Sequence, residues 1–148
     1  MYQTHDNNVN IQQAVPFFWV TDIEASMHYY VNGLGFTITN RWIDDRKTRW
    51  CWLQRDNAAL MLQESRKEKH DADVLAEKRG IGVSIYFICK DALALYKEFV
   101  SKGVVASKPF VGNNMWVISL QDPDGYDLYF ESNTEASEET IYVEEEHS

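Results

Sequence analysis

The chain has 148 residues, of which 45% are hydrophobic and 14% aromatic, so a folded protein with a sizeable buried core is predicted. The formal net charge is −9, but residues 134–148 hold six glutamates and no lysine or arginine, so the remainder is only weakly acidic. The absence of a basic stripe argues against nucleic-acid binding. No apolar run is long enough to cross a bilayer, which argues against a membrane role.

The cellular compartment is predicted from the N-terminal segment and the cysteines. Met1–Gln13 is polar and lacks the basic start and apolar centre of a signal peptide. Cys51 and Cys89 each lie in an apolar, strand-like run, and neither has a second cysteine or a histidine at the spacing of a metal site. Two buried free thiols suit a reducing compartment, so we expect a cytoplasmic protein.

The first half of the chain predicts a strand, a helix and three further strands. Ala14–Val20 is apolar at almost every position, as in a strand covered on both faces, and Pro16 favours an edge or the start of that strand. After the helix come three segments that are bounded by short polar turns and have the composition of strands. They are Phe36–Ile43, Thr48–Gln54 and Ala58–Glu64.

The helix between the first two strands has a defined start and end. Its apolar residues recur at helical spacing, at Ile23, Met27, Tyr30, Val31 and Leu34. Thr21 and Glu24 match a capping box, and Asp22 is the competing N-cap. Gly33 and Gly35 predict the end of the helix.

The same order of elements recurs in the second half. It predicts a strand over Val83–Cys89, a helix over Asp91–Gly103, and strands over Val104–Phe110, Met115–Gln121 and Tyr126–Glu131. The repeat holds with one deletion: Asp22 and Asp91 are 69 positions apart, whereas Gly35 and Gly103 are 68 apart, as are Asp56 and Asp124, so one residue is lost within the second helix. We therefore predict an α+β protein made of two tandem βαβββ modules.

The predicted organisation has five parts. They are a polar N-terminal tail (1–13), a first module (14–64), a linker (65–80), a second module (81–132) and an acidic C-terminal tail (133–148). Within the last part, Ile141–Val143 leaves two possibilities open, a short edge strand or a disordered terminus.

Two motifs within these modules resemble the vicinal oxygen chelate superfamily. They are VTDIEASMHYYVNGLGF in the first module and DPDGYDLYF at the end of the second. That superfamily includes glyoxalase I, extradiol dioxygenases, fosfomycin-modifying thiol transferases and bleomycin-resistance proteins. The resemblance covers roughly residues 13–132 and implies a curved mixed sheet that encloses a cleft, the glyoxalase/bleomycin-resistance fold. A fold of this kind hosts several chemistries, so it does not by itself imply one function.

The superfamily's enzymes hold a divalent metal in the cleft, and the resemblance places its ligand positions at Val15, Met61, Ser84 and Tyr129. None of these is a competent ligand for a catalytic divalent ion. The histidines are scattered, at His5, His28, His70 and His147. We therefore expect no metal and no other cofactor, and binding rather than catalysis. The alternative is a metal-dependent lyase, thiol transferase or dioxygenase with displaced ligands.

Without metal, the chain is most similar in type to bleomycin-resistance proteins, which bind a drug in an aromatic, acidic cleft formed with a second subunit. This implies a homodimer that sequesters a small aromatic or cationic compound, such as an antibiotic. Side chains alternate between the two faces of a strand, so residues on the same face as the family's metal-ligand positions are predicted to bind the ligand. These residues are Phe17, Trp19, Met61, Gln63, Ser84, Tyr86, Tyr129 and Glu131, with no catalytic residue among them.

Some aromatic and apolar positions have a competing role. Phe17 and Ile88 are expected in the core more readily than in a binding site, because alternating apolar strand residues are usually buried. Trp50, Trp52 and Trp116 have three roles left open: the mouth of a cleft, a dimer interface, or packing under a helix. A cavity filled by its own aromatic side chains would instead indicate a structural or partner-binding protein.

Overall fold

The computed structural model describes residues 8–65 and 79–144, which form two compact units, one in each range. The first unit contains β1 (Phe17–Val20), α1 (Ile23–His28), a π-helical turn (Tyr29–Gly33), β2 (Thr37–Asp44), β3 (Lys47–Arg55) and β4 (Ala58–Glu64). The second contains β5 (Ser84–Ile88), α2 (Ala92–Ser101), β6 (Phe110–Gly112), β7 (Met115–Gln121) and β8 (Asp127–Asn133). No helix in these two ranges is long and apolar enough to span a membrane.

Each unit forms its own four-stranded mixed sheet, and the two sheets have the same topology. The strand order is β1-β4-β3-β2 in the first and β5-β8-β7-β6 in the second. The first strand of each unit runs parallel to the last, and the other neighbours are antiparallel. The predicted α+β class and the duplicated βαβββ order are confirmed.

Both α-helices begin at an aspartate with extended backbone. The carboxylate of Asp22 accepts a hydrogen bond from the Ala25 amide at 3.2 Å, and that of Asp91 accepts one from the Ala94 amide at 3.0 Å. Each bond satisfies an amide that has no partner within its helix. Asp22, the competing N-cap, is therefore the residue that caps α1.

The first helix differs from its predicted form after His28. The chain widens there into the π-helical turn, in which the Leu34 amide donates to the Tyr29 carbonyl at 3.0 Å. Tyr30 is fully buried in this turn, and its ring packs edge-on against Phe36 at 5.9 Å. Gly35, at a φ of 78°, ends the segment as predicted, because glycine adopts this left-handed conformation without steric cost.

The core of each unit lies between the helix and one face of the sheet. In the first unit, Phe18, Leu53 and Leu62 pack on this face, together with Ile23 of α1. Cys51 lies among them, and burial raises the pKa of its thiol to about 11. Since the thiolate is the reactive form, Cys51 is inert at neutral pH.

The predicted strand over Val104–Phe110 is wrong, because regular pairing begins only at Phe110. Upstream, Ser107 alone reaches β7: its amide donates to the Ser119 carbonyl at 3.0 Å, and its hydroxyl accepts from the Ser119 amide at 2.8 Å. Pro109 has no amide hydrogen, so it cannot donate the backbone hydrogen bond that would continue the pairing with β7.

The segment around Ile141 lies along β6. The Val111 amide donates to the Thr140 carbonyl at 2.9 Å, and the Tyr142 amide donates to the Pro109 carbonyl at 2.8 Å. A single bridge joins Phe110 and Ile141, so the segment covers the sheet edge without forming a full strand. Of the two possibilities left open for Ile141–Val143, the structure supports edge pairing.

This segment also decides the place of Trp116. The Tyr142 ring packs edge-on against Trp116 at 6.1 Å and against Tyr96 of α2 at 6.0 Å. Trp116 therefore belongs to the helix side of the second sheet and takes no part in the opposite face.

Candidate functional site

The face of the first sheet that does not carry α1 is lined by aromatic and amide side chains. Residues paired across strands share a face, so the register identifies its members. We call this surface the first open face; it consists of Phe17, Trp19, Thr37, Asn40, Trp42, Trp50, Trp52, Gln54, Ala59, Met61 and Gln63. Four of the chain's five tryptophans therefore lie on one face of one sheet.

These side chains form two rows that cross all four strands. One row runs Trp19, Gln63, Trp50 and Trp42, and the other runs Phe17, Met61, Trp52 and Asn40. Cross-strand neighbours on one face are close enough to contact each other or a common ligand. The first row thus places three indole rings and one amide side by side across the sheet.

The first open face is accessible. Phe17 is 42% exposed, Trp19 41% and Trp42 47%, although each side chain is large and mostly apolar. The expectation that Phe17 belongs to the core is therefore wrong. Contiguous exposed apolar surface of this kind is typical of interaction sites in soluble proteins.

Contacts within this face hold its rings in place. Phe17 and Trp19 pack edge-to-face with ring centroids 5.4 Å apart. The indole N–H of Trp52 donates to Gln54 Oε1 at 3.1 Å, and Gln54 Nε2 donates to the Asp56 carbonyl at 2.8 Å. Rings held in this way lose little further freedom when a ligand binds, which lowers the entropic cost of binding.

The centre of the first row carries two polar groups, the side-chain amide of Gln63 and the indole N–H of Trp50. Gln63 and Trp50 are paired across β3 and β4, and both are half-buried. Within residues 8–65 and 79–144, neither the Gln63 amide nor the Trp50 indole N–H makes a hydrogen bond to another side chain or to the backbone. Together they offer hydrogen-bond donors and one acceptor to a guest molecule.

The second sheet has a corresponding face, which is aromatic and acidic. We call it the second open face; its members include Ser84, Tyr86, Ile88, Phe110, Val117, Ser119, Gln121, Asp127, Tyr129 and Glu131. The rings of Tyr86 and Tyr129 stack with centroids 4.6 Å apart and an interplanar angle of 10°. Tyr86 is 54% exposed and Ile88 69%, so the expectation that Ile88 lies in the core is also wrong.

Two carboxylates flank Tyr129 on this face. Glu131 is half-buried between its register partners Ile88 and Val117. No side chain or amide in the described ranges hydrogen-bonds or ion-pairs with its carboxylate. Asp127 accepts a hydrogen bond from Gln121 Nε2 at 3.0 Å. An unpaired carboxylate beside aliphatic side chains is a group that a bound cation would stabilise.

The predicted site residues separate into two sets of four, one on each face. Phe17, Trp19, Met61 and Gln63 lie together on the first open face. Ser84, Tyr86, Tyr129 and Glu131 lie together on the second. Strand alternation thus placed every member of each set on a common face of its own sheet.

The register adds three tryptophans to the first open face beyond the predicted site residues. The sequence left the roles of Trp50 and Trp52 open and gave no assignment for Trp42. Alternation would have indicated Trp50 and Trp52 once the face of β4 was known, because both pair with predicted site residues. Trp42 had no such signal, since β2 has register shifts on both sides of it, at Ile38/Asn40 and at Trp42/Ile43.

The residues at the family's metal positions do not fit a divalent metal. Val15 has no donor atom, Met61 offers only a thioether, and Ser84 and Tyr129 offer neutral hydroxyls. Divalent metals in this type of site require imidazole, thiolate or carboxylate ligands. In the part of the chain that the structure describes, no three His, Cys, Asp or Glu side chains group as a metal site would require.

Comparison with known proteins places this geometry in a family. The sequence model of the Glyoxalase/Bleomycin resistance protein/Dioxygenase superfamily matches residues 11–130. No curated protein matches the sequence.

Among solved structures, UcmS2 superposes with a TM-score of 0.69 at 14% identity, over 83% of this chain and 98% of UcmS2. TnmS3, an antibiotic binding protein from Streptomyces sp. CB03234, gives a TM-score of 0.63 at 16% identity, over 85% of this chain and 99% of TnmS3. A glyoxalase-related enzyme from Fulvimarina pelagi gives 0.60 at 18% identity, over 89% of this chain and 97% of that enzyme. At these identities the likeness concerns the fold, and the family follows from the sequence match: the chain belongs to the glyoxalase/bleomycin resistance protein/dioxygenase superfamily.

Proposed function

We propose that this protein binds a small aromatic or cationic molecule and sequesters it without chemical modification. The observation that carries the proposal is the first open face, where four tryptophans and Phe17 cover one side of a sheet and several of them are about half exposed. Indole faces stack on planar heterocycles and attract cations. A surface of this kind is therefore suited to binding a planar or cationic small molecule.

The second open face supports the cationic part of the proposal. Its stacked tyrosine pair offers ring faces to a cation, and Glu131 and Asp127 offer negative charge on the same face. The net charge of −9 adds a field that attracts cations over a longer distance.

The comparisons support the same class of function. TnmS3 is described as an antibiotic binding protein and shares the fold over 85% of this chain. We extend the proposal to an antibiotic as the type of guest and to a homodimer as the binding form, as the resemblance implies. The cytoplasm is the proposed compartment, because two free cysteines suit a reducing environment.

A planar aromatic cation such as proflavine tests the role of Glu131. Proflavine is expected to raise the melting temperature by mass action and to bind without turnover. Glu131→Gln should weaken its binding by about 1 kcal/mol, roughly fivefold in Kd, because a partly desolvated carboxylate is lost. Glu135→Gln, which changes an exposed glutamate beyond β8, is the matched control and should leave Kd unchanged. An unaltered Kd in Glu131→Gln would remove Glu131 from the site.

The metal-free part of the proposal is tested by elemental analysis. Protein purified without chelator is expected to carry Zn, Ni, Mn and Fe far below one equivalent per chain, because the family's ligand positions lack competent donors. EDTA should not change the melting temperature, since no metal contributes to folding. A transition metal retained near one equivalent after dialysis would favour the metal-dependent alternative.

A further inference from the structure

The first open face has no ionisable side chain, although the chain carries a net charge of −9. Among the charged residues of these strands, the register places Arg41 and Glu64 on the helix side of the sheet, beside the buried Cys51 and Val20. Arg49 and Glu64 pair with each other, at 3.5 Å. The face is therefore aromatic and polar but uncharged, unlike the second open face with its two carboxylates.

We infer that the first open face selects an uncharged, planar polycyclic molecule with a hydrogen-bonding oxygen, and that Gln63 and Trp50 determine this specificity. The inference rests on the proposed function and specifies the class of molecule that binds at this surface. The amide of Gln63 and the indole N–H of Trp50 have no hydrogen-bond partner among the residues that the structure describes. They lie at the centre of the tryptophan row and provide the hydrogen bonds to the guest.

The size of the guest follows from the spacing of the row. Trp19, Gln63, Trp50 and Trp42 lie on four adjacent strands. Strand spacing gives the row a length of about 14 Å, which accommodates about three linearly fused rings. A single ring would contact only one or two of the indoles.

The charge of the guest follows from desolvation. An ammonium group pressed against this face loses water and gains cation–π attraction but finds no carboxylate to pair with. An anion finds no basic group on the face and is repelled by the net charge of the chain. A neutral oxygen acceptor costs little to desolvate and receives the available hydrogen bonds.

Four anthracenes of similar size test this selection: 9-anthracenemethanol, protonated 9-(aminomethyl)anthracene, anthracene-9-carboxylate and 9-methylanthracene. Binding is measured by quenching of tryptophan fluorescence and by calorimetry. The neutral alcohol should bind most tightly. Trp50→Leu should weaken its binding about threefold to tenfold through the lost ring contact and indole donor. Trp42→Leu, at an exposed edge position, is a second variant that should weaken binding without disturbing the core.

The role of Gln63 is separated from general packing by a pair of ligands. Gln63→Leu should weaken binding of the alcohol about fivefold and leave 9-methylanthracene unchanged, because only the alcohol offers an oxygen to the amide. Trp116→Phe is the matched control, since Trp116 lies on the helix side of the second sheet and should not affect any of the four ligands. Equal losses for alcohol and methyl compound would assign Gln63 a packing role and overturn its part in specificity.

The other outcomes separate this inference from the proposed function. If the ammonium compound binds most tightly and Trp50→Leu abolishes that binding, the face selects cations; the inference falls and the proposed function survives. If no anthracene binds up to its solubility limit, the inference falls, and the proflavine titration decides the proposed function separately. If Trp42→Leu instead dissociates a dimer and no ligand competes with dimerisation, a second copy of the chain covers the face and the inference falls.

Discussion

Replacing Phe99 by alanine is expected to destabilise the second unit by about 3–5 kcal/mol, because it opens a cavity at a site that cannot collapse easily. Phe99 is fully buried on α2, and its ring packs edge-on against Phe130 of β8 with centroids 5.0 Å apart. Phe130 in turn stacks on Phe87 of β5 at 4.6 Å. The three rings connect the helix to two strands, so losing one weakens all of their contacts.

Chemical denaturation monitored by circular dichroism measures this effect as a lower midpoint at an unchanged slope. The neighbouring substitution Val100→Ala is the control, since Val100 is 44% exposed and should cost less than about 1 kcal/mol. If the two variants had the same denaturation midpoint, the ring contacts of Phe99 would not stabilise the unit.

The second large effect is expected at Asp122, which organises the turn between β7 and β8. Its side chain is buried, and Oδ1 accepts hydrogen bonds from the Asp124 amide at 3.0 Å and the Tyr126 amide at 2.9 Å. Asp122→Ala leaves both amides without this acceptor, and we expect a loss of about 2–4 kcal/mol in the free energy of unfolding. Thermal unfolding should show a corresponding fall in melting temperature.

Asp122→Asn separates the contribution of the carboxylate charge from that of the hydrogen bonds and packing. Asparagine keeps an acceptor oxygen in the same position, so this variant should retain about half of the stability that alanine loses. If asparagine and alanine were equally destabilising, the carboxylate charge would be the dominant contribution. If neither were destabilising, the turn would not depend on Asp122.

The two open faces have different chemistry, and this bears on how such a protein distinguishes its guests. The first is uncharged and built around tryptophan, and the second combines tyrosines with Glu131 and Asp127. Variants on one face that leave ligands of the other unaffected would show that the two surfaces act independently. Glu131→Gln and Gln63→Leu form such a pair.

Local sequence signals were sufficient to predict the order of the helices and strands, the duplication of the module and several strand boundaries. Met115–Gln121 and Ala58–Glu64 coincide with the observed strands, because turn residues bound both segments closely. The start of α1 was only partly readable: the sequence offered a capping box of Thr21 and Glu24 and Asp22 as the competing N-cap, and Asp22 is the residue that caps the helix. Alternation also grouped the site residues of each sheet, because the side-chain period of a strand does not depend on its neighbours.

Long-range contacts determined the rest. The face to which Trp42 belongs depends on the irregular register between β2 and β3, and the shortness of β6 depends on Pro109 and on the partners that Ser107 finds in β7. The place of Trp116 depends on Tyr142, which lies in a separate segment of the chain. Alternation indicates that Phe17 and Trp19 share a face of the sheet. It does not indicate whether that face is covered, so the exposure of these two side chains could not be predicted. Burial is a property of packing between distant segments, so the sequence pattern of one strand does not by itself determine which of its faces is covered.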